Sequence, residues 1–185
     1  PGGSVALAAT VTPPAVGGLA ATLVIASNDA DEPELRIPLQ ASGANALALF
    51  EGEALRAGLT GSAAAPEHAP QGEGLSNLLK YAFNLDLDRP DRRVLSEASE
   101  AGLPMIRSIP SAGGSLEWHL EFLRRRGSGL TYTPLYGESL PGMALLDEPE
   151  VVTVLNDQWE RVRVPLPSYG SAPARGFTSV RVSLP

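Results

Sequence analysis

The chain has 185 residues, a formal net charge of -7 and no cysteine. The acidic surplus argues against nucleic acid as a partner, because phosphates are held by Lys and Arg. The missing thiols exclude disulfides and Cys-based zinc sites. Hydrophobic residues at 43% and charged residues at 19% describe a globular chain. No apolar run reaches the roughly 18 residues of a membrane span. Gly (19) and Pro (17) predict short strands and frequent turns. The chain opens at Pro1-Gly2-Gly3-Ser4 without an initiator Met or signal peptide, and it reads as a fragment or processed C-terminal portion of a longer protein.

Residues 1–43 read as strands. Residues 4–11 alternate loosely, and Thr12-Pro13-Pro14 with Gly17-Gly18 breaks the pattern. Residues 19–26 (Leu-Ala-Ala-Thr-Leu-Val-Ile-Ala) form a β-rich run, and residues 27–33 are dense in turn formers. Leu35, Ile37 and Leu39 then alternate with Arg36, Pro38 and Gln40, the period of a strand with one buried face. The placing of Pro13, Gly17, Ala21, Leu23, Ile25, Ser27, Asn28, Asp29, Asp31, Pro33, Ile37, Leu39 and Gly43 resembles the last strands of the choice-of-anchor D or hydin-like immunoglobulin-type repeat. Ala30 stands where that family usually has Pro. The resemblance implies the C-terminal strands of an Ig-like sandwich whose earlier strands lie upstream or come from elsewhere. Asn28, Asp29, Asp31 and Glu32 are a weak metal candidate, better read as a turn whose side chains bond their own backbone.

Residues 44–93 predict a helical junction. Leu47, Phe50, Ala54 and Leu55 lie near helical spacing in 46–57, with Gly58 as the stop. Leu75, Leu78, Leu79, Ala82 and Phe83 form a second apolar stripe, and Asn84 suits the left-handed conformation of a helix end. Residues 86–93 read as a charged, solvated exit. The run from Ala69 to Tyr81 resembles the "DxDGDGLSNLLEYA" element that joins domains in large secreted bacterial proteins. A calcium loop needs acids at positions 1, 3 and 5, Gly at 6 and a bidentate Glu at 12. Here those positions hold Ala69, Gln71, Glu73, Gly74 and Lys80, the chain's lone lysine. Glu73, Gln71 and Asn77 are the candidate metal ligands. The favoured reading is a metal-free loop in which the Lys80 ammonium takes the place of the ion's charge, so no cofactor is expected.

Residues 94–185 predict an all-β module, with strands at 104–109, 116–124, 131–138, 151–156, 160–165 and 177–184. The stretches LEWHLEFLRRRGSGLTYTPLYGESLPGM, WERVRVPLP and GFTSVRVSLP are similar to the C-terminal module that follows that junction in secreted bacterial proteins. The expected fold is therefore mainly β: an Ig-like sandwich remnant, a short two-helix junction and a C-terminal antiparallel β-sandwich.

No catalytic constellation emerges, and the chain is read as non-enzymatic. His68 and His119 are far apart in sequence, and His119 is expected on the solvent face of a strand beside Trp118. Glu117 and Glu121 share a strand face, and the acids at 147–150 read as a turn rather than a glycosidase pair. Arg124-Arg125-Arg126 reads as a solvated or ion-paired strand end. Among the aromatics, Trp159 and Tyr169 lie near loops and are the candidates for stacking on a glycan. The expected function is display, adhesion or anchoring as the C-terminal structural module of a secreted or cell-surface bacterial protein. The alternative is an accessory carbohydrate-binding module of an upstream extracellular enzyme. Expected partners are upstream domains of the same polypeptide, neighbouring copies or surface glycans.

Overall fold

A computed structural model describes residues 17–28, 30, 31, 33–110, 114–167 and 176–185. The chain divides into two compact units, Pro1–Asn45 and Ala46–Pro185. Among the described residues, no helix is long and apolar enough to cross a membrane.

In the first unit, β1 (Gly17–Ala26) pairs antiparallel with β2 (Glu34–Gly43). Leu19 lies opposite Ala41, Ala21 opposite Leu39, Leu23 opposite Ile37 and Ile25 opposite Leu35. Because side chains alternate across a strand, these eight aliphatic residues share one face. The other face pairs Ala20, Thr22, Val24 and Ala26 with Gln40, Pro38, Arg36 and Glu34. The Ser27 amide donates to the Pro33 carbonyl at 2.8 Å and closes the turn. Among the described residues β2 pairs on one side alone, the kind of strand on which Pro is tolerated. The aliphatic face stays open: Ile25 is 39%, Leu35 54% and Ile37 37% exposed.

The second unit begins with α1 (Ala46–Arg56) and α2 (Asn77–Ala82). Seven strands follow: β3 (Met105–Pro110), β4 (Leu116–Arg125), β5 (Thr131–Gly137), β6 (Ala144–Leu145), β7 (Val151–Val154), β8 (Trp159–Pro165) and β9 (Phe177–Ser183). They make two antiparallel sheets, ordered β3-β4-β8-β7 and β6-β5-β9. The protein is thus mainly β and sandwich-like. Even-numbered Leu120, Phe122, Val162 and Val164 of the larger sheet meet Val180 of the smaller one in the main core. On the larger sheet's other face, Leu123 and Trp159 pack with Leu95 in a smaller cluster.

Ala82, Phe83 and Leu85 belong to the main core as well. The helical segment and the β module, expected as separate parts divided near residue 93, therefore form one unit. The reason is that α2 has too little surface to bury its stripe alone, and core side chains of the sheets supply the missing cover. Tyr132 on β5 ties the two together. Its ring stacks on Phe122 and meets Phe83 edge-on, at centroid distances of 6.2 and 6.1 Å. Its hydroxyl donates to the Ala82 carbonyl at 3.0 Å and accepts from the Arg125 amide at 3.1 Å. Burial pushes the phenol up to about 12. A phenol whose folded pKa is raised contributes stability fully present below its ordinary value of 10.0 and lost as pH rises through 12. Ultraviolet titration should show the Tyr132 tyrosinate forming about two pH units late. Tyr132→Phe should remove that step and cost about 1–3 kcal/mol, because two backbone groups lose their partner. Loss of the late step without loss of stability would refute the bridge.

Chain ends and turns follow local chemistry. Ser76 caps α2 through its hydroxyl, which accepts from the Leu79 amide at 3.4 Å. Asn84 takes a φ of 56° at the helix exit. Gly102, at φ 148°, donates its amide to Phe83 O at 3.0 Å, and a Cβ there would lie 2.3 Å from the Leu95 nitrogen. That close approach admits glycine alone and locks the 94–104 segment against the helix exit.

Candidate functional site

The loop before α2 is the first candidate, and its hydrogen bonds explain its shape. The Asn77 amide donates to His68 O at 2.8 Å and the Leu78 amide to Pro66 O at 2.9 Å, folding the loop back on the helix start. Asn77, fully buried, donates through Nδ2 to Ala63 O (2.7 Å) and Ala65 O (2.9 Å). Gly72 and Gly74 take φ values of 74° and 79° to turn the chain between them.

At the centre of the loop sits Lys80. Its side chain is 0% exposed, its ammonium is paired with Glu73, and it donates to Arg89 O at 2.8 Å. The Glu73 side chain is 5% exposed. Burial raises the Glu73 carboxyl, but the Lys80 hydrogen bond, nearby backbone amides and the ammonium charge together leave its pKa below the ordinary carboxylate value. The acceptor carbonyl comes from 86–93, expected as a solvated exit. The structure corrects this in part: Leu87 and Asp91 are buried and Asp91 clamps the turn, while residues 88–90, 92 and 93 are exposed as expected. Asp91 accepts from the Asp86 amide (2.9 Å) and from the Arg93 amide and guanidinium. The Arg93 hydrogen bond, against the opposing effect of burial, holds the Asp91 carboxyl well below its usual range. Leu85 and Leu87 are turned inward, and the segment that follows them brings the Arg89 carbonyl to Lys80.

The three candidate metal ligands are engaged separately. Glu73 faces Lys80, Asn77 faces the 63–65 carbonyls, and Gln71 Nε2 lies 3.4 Å from Leu87 O. A calcium ion does not fit these residues, because a buried ammonium already holds the central charge and would repel a dication. Among the described residues, no group of three or more His, Asp or Glu side chains is placed to hold a metal ion. Of the weaker turn candidate, Asp29 and Glu32 lie outside the described residues.

The proposed glycan platform changes more. Trp159 is 4% exposed and packs on Leu95 and Leu123. The Arg125 guanidinium lies 4.5 Å from its ring centroid and 4.1 Å from that of Tyr81, a cation held between two aromatic faces. Trp159 is therefore not the solvent-facing stacker expected from its place near a loop. Its odd-numbered position on β8 turns it beneath the 94–104 segment. Tyr169 lies outside the described residues. On β4 the burial differs from that expected although the faces do not: Leu120 and Phe122 enter the core, yet Trp118 is 42% and Leu116 59% exposed, while His119 on the other face is buried at 8%. β4 has ten residues against seven in β5 and β9, so its first inner-face side chains outrun the smaller sheet.

The two carboxylates on β4 do not make an acid–base pair. The Glu117 side chain is 61% exposed and that of Glu121 0%. Three guanidiniums converge on Glu121: Arg161 Nη1 at 2.6 Å and Arg107 Nη1 at 3.8 Å from Oε1, and Arg163 Nε at 3.3 Å from Oε2. Arg161 is also spent on Ser96 O and Ser99 O, at 3.0 and 2.7 Å. In the basic run, Arg124 pairs with Glu150 and Glu160, at 2.8 and 2.5 Å, and Arg126 donates to Asn156 O at 3.0 Å. The convergence on Glu121 was missed in the sequence. Its signal was the alternation Arg161-Val162-Arg163 facing Glu121-Phe122, readable once β4 and β8 are known to pair.

No family model matches the chain, and no curated protein and no solved structure shows significant similarity to it.

Proposed function

We propose that the chain is a non-enzymatic structural module of an exported bacterial protein, serving display, adhesion or anchoring at the cell surface. The observation that carries this reading is the open aliphatic face of the β1–β2 hairpin. Eight aliphatic side chains on one side of two strands need cover, and an isolated hairpin is marginal in water. Cover by further β-structure, from an upstream domain of the same polypeptide or a neighbouring copy, fits the resemblance to an Ig-type repeat. The second unit supports the reading as a rigid module: its loop carries its own cation, so its shape does not depend on ambient calcium. The test is detection of the native polypeptide, with intact mass, in surface, culture-medium and cytoplasmic fractions. The expected result is an exported species with further β-rich sequence joined to the hairpin. Confinement to the cytoplasm would overturn it.

A second reading, an accessory carbohydrate-binding module, is favoured by one feature. A basin of about 460 Å³ is lined by Asn84, Glu100, Asn156, Asp157, Gln158 and Trp159. Amides and carboxylates of this kind hydrogen-bond sugar hydroxyls. Retardation in gels containing a neutral polysaccharide, abolished in Gln158→Ala, would favour it over the structural reading.

A further inference from the structure

We propose that the outer face of the four-stranded sheet binds the carboxylate of a sugar acid, between Arg107 on β3 and Arg163 on β8, beside His119 on β4. The site stands on this sheet face alone and is independent of both readings above. In an acidic protein, three guanidiniums are drawn to one buried carboxylate, Glu121. Arg161 is the partner that neutralises it, with its remaining donors on Ser96 and Ser99. Arg107 and Arg163 are left in excess, and their side chains are 28% and 32% exposed.

Arg163 Nε is buried without a hydrogen-bond partner, 3.3 Å from Glu121 Oε2. His119, opposite Arg107 in the ladder, has a buried Nδ1 without a partner. Arg107 Nη2 is held at 2.7 Å by Glu97, whose side chain is 81% exposed. Glu97 thus shows which group this guanidinium binds: a solvent-exposed carboxylate, here through one donor, the group its fork is shaped to hold. An exposed pair of this kind is weakly held and can be displaced.

The neighbour of the site selects the ligand class. Glu117, 61% exposed and 3.8 Å from His119 Nε2, places an acceptor beside the cations. A uronic acid offers one carboxylate with hydroxyl donors around it and satisfies both. An acidic peptide would bring further carboxylates against Glu117.

The test is a ¹⁵N NMR titration of the full chain with galacturonate, and in parallel with polygalacturonate, dextran and polyglutamate. Saturable shifts are expected for galacturonate along β3, β4 and β8. Glu97→Gln removes the internal competitor and should tighten binding about two- to fivefold, the worth of an exposed ion pair. Arg163→Gln should weaken it at least about tenfold, the loss of a charge-assisted hydrogen bond. Glu97 is exposed, so that variant keeps its fold and carries the test if Arg163→Gln does not. Absence of saturable shifts, equal binding of dextran or polyglutamate, binding of the polymer without galacturonate, or unchanged affinity in Glu97→Gln would each overturn the proposal.

Discussion

A Lys80→Met variant is expected to lose about 3–5 kcal/mol of stability, because it strands a buried carboxylate without its charge partner. Against the roughly 5–15 kcal/mol that holds a domain folded, this is one of the two largest single-residue effects expected in the chain. Glu73 and the Arg89 carbonyl would both lose the ammonium that satisfies them. The double variant Lys80→Met, Glu73→Gln should recover part of the loss, since no uncompensated charge remains. The pH dependence has a definite sign. Glu73 and Asp91 have folded pKa values below their ordinary 4.5 and 3.8. Each contributes stability that is present above its unfolded pKa and lost as pH falls through its folded one. Urea denaturation followed by tryptophan fluorescence at neutral pH and at pH 3 measures both effects. A Lys80→Met loss under about 1 kcal/mol would mean that the pair is not the clamp described here.

The second large effect is expected from Phe83→Ala. Phe83 is 1% exposed and lies at the meeting of the helix exit, β4 and β5. Truncating a buried aromatic costs about 3–5 kcal/mol through lost burial and the cavity left behind. Because Ala82, Phe83 and Leu85 share the core of the sheets, the loss should fall on the whole second unit as one transition. Hydrogen exchange is the measurement. Amides of Lys80 and Phe83 should open with the same free energy as those of Leu120 and Phe122, in the wild type and in the variant. Helix amides that open first, leaving the β4 amides protected, would separate the helical segment from the sandwich.

Much of the architecture was legible because its signals are local. Period-two alternation placed β8 and β9 within a residue of their ends and β2 at its start, although β2 runs on through Gly43. Gly58 and Asn84 marked the helix exits, where both take positive φ values. The stripe from Leu75 to Phe83 was read correctly as a helix with one apolar side, although the regular helix spans only Asn77–Ala82. Trp159, His119 and Trp118 were read less well. For each, alternation told which neighbours share its side of a strand. It did not tell which side another segment would cover.

From its sequence alone, this chain determines a mainly β course with two antiparallel sheets' worth of strands, a hairpin with one aliphatic side, and a loop before a helix that carries Glu73 and the lone lysine, Lys80. Residue order suffices for these, because alternation, turn chemistry and helix capping act over a few neighbouring residues. Tertiary structure alone decided the rest. The segment after α2 folded back, so that the Arg89 carbonyl accepts from Lys80. The pairing of β4 with β8 brought Arg161 and Arg163, forty or more residues later in the chain, onto Glu121. The 94–104 segment closed over Trp159, while the short strands of the smaller sheet left Trp118 open. A side chain's burial and charge partners depend on segments distant in sequence, and their approach is set by how the sheets and helix share one core.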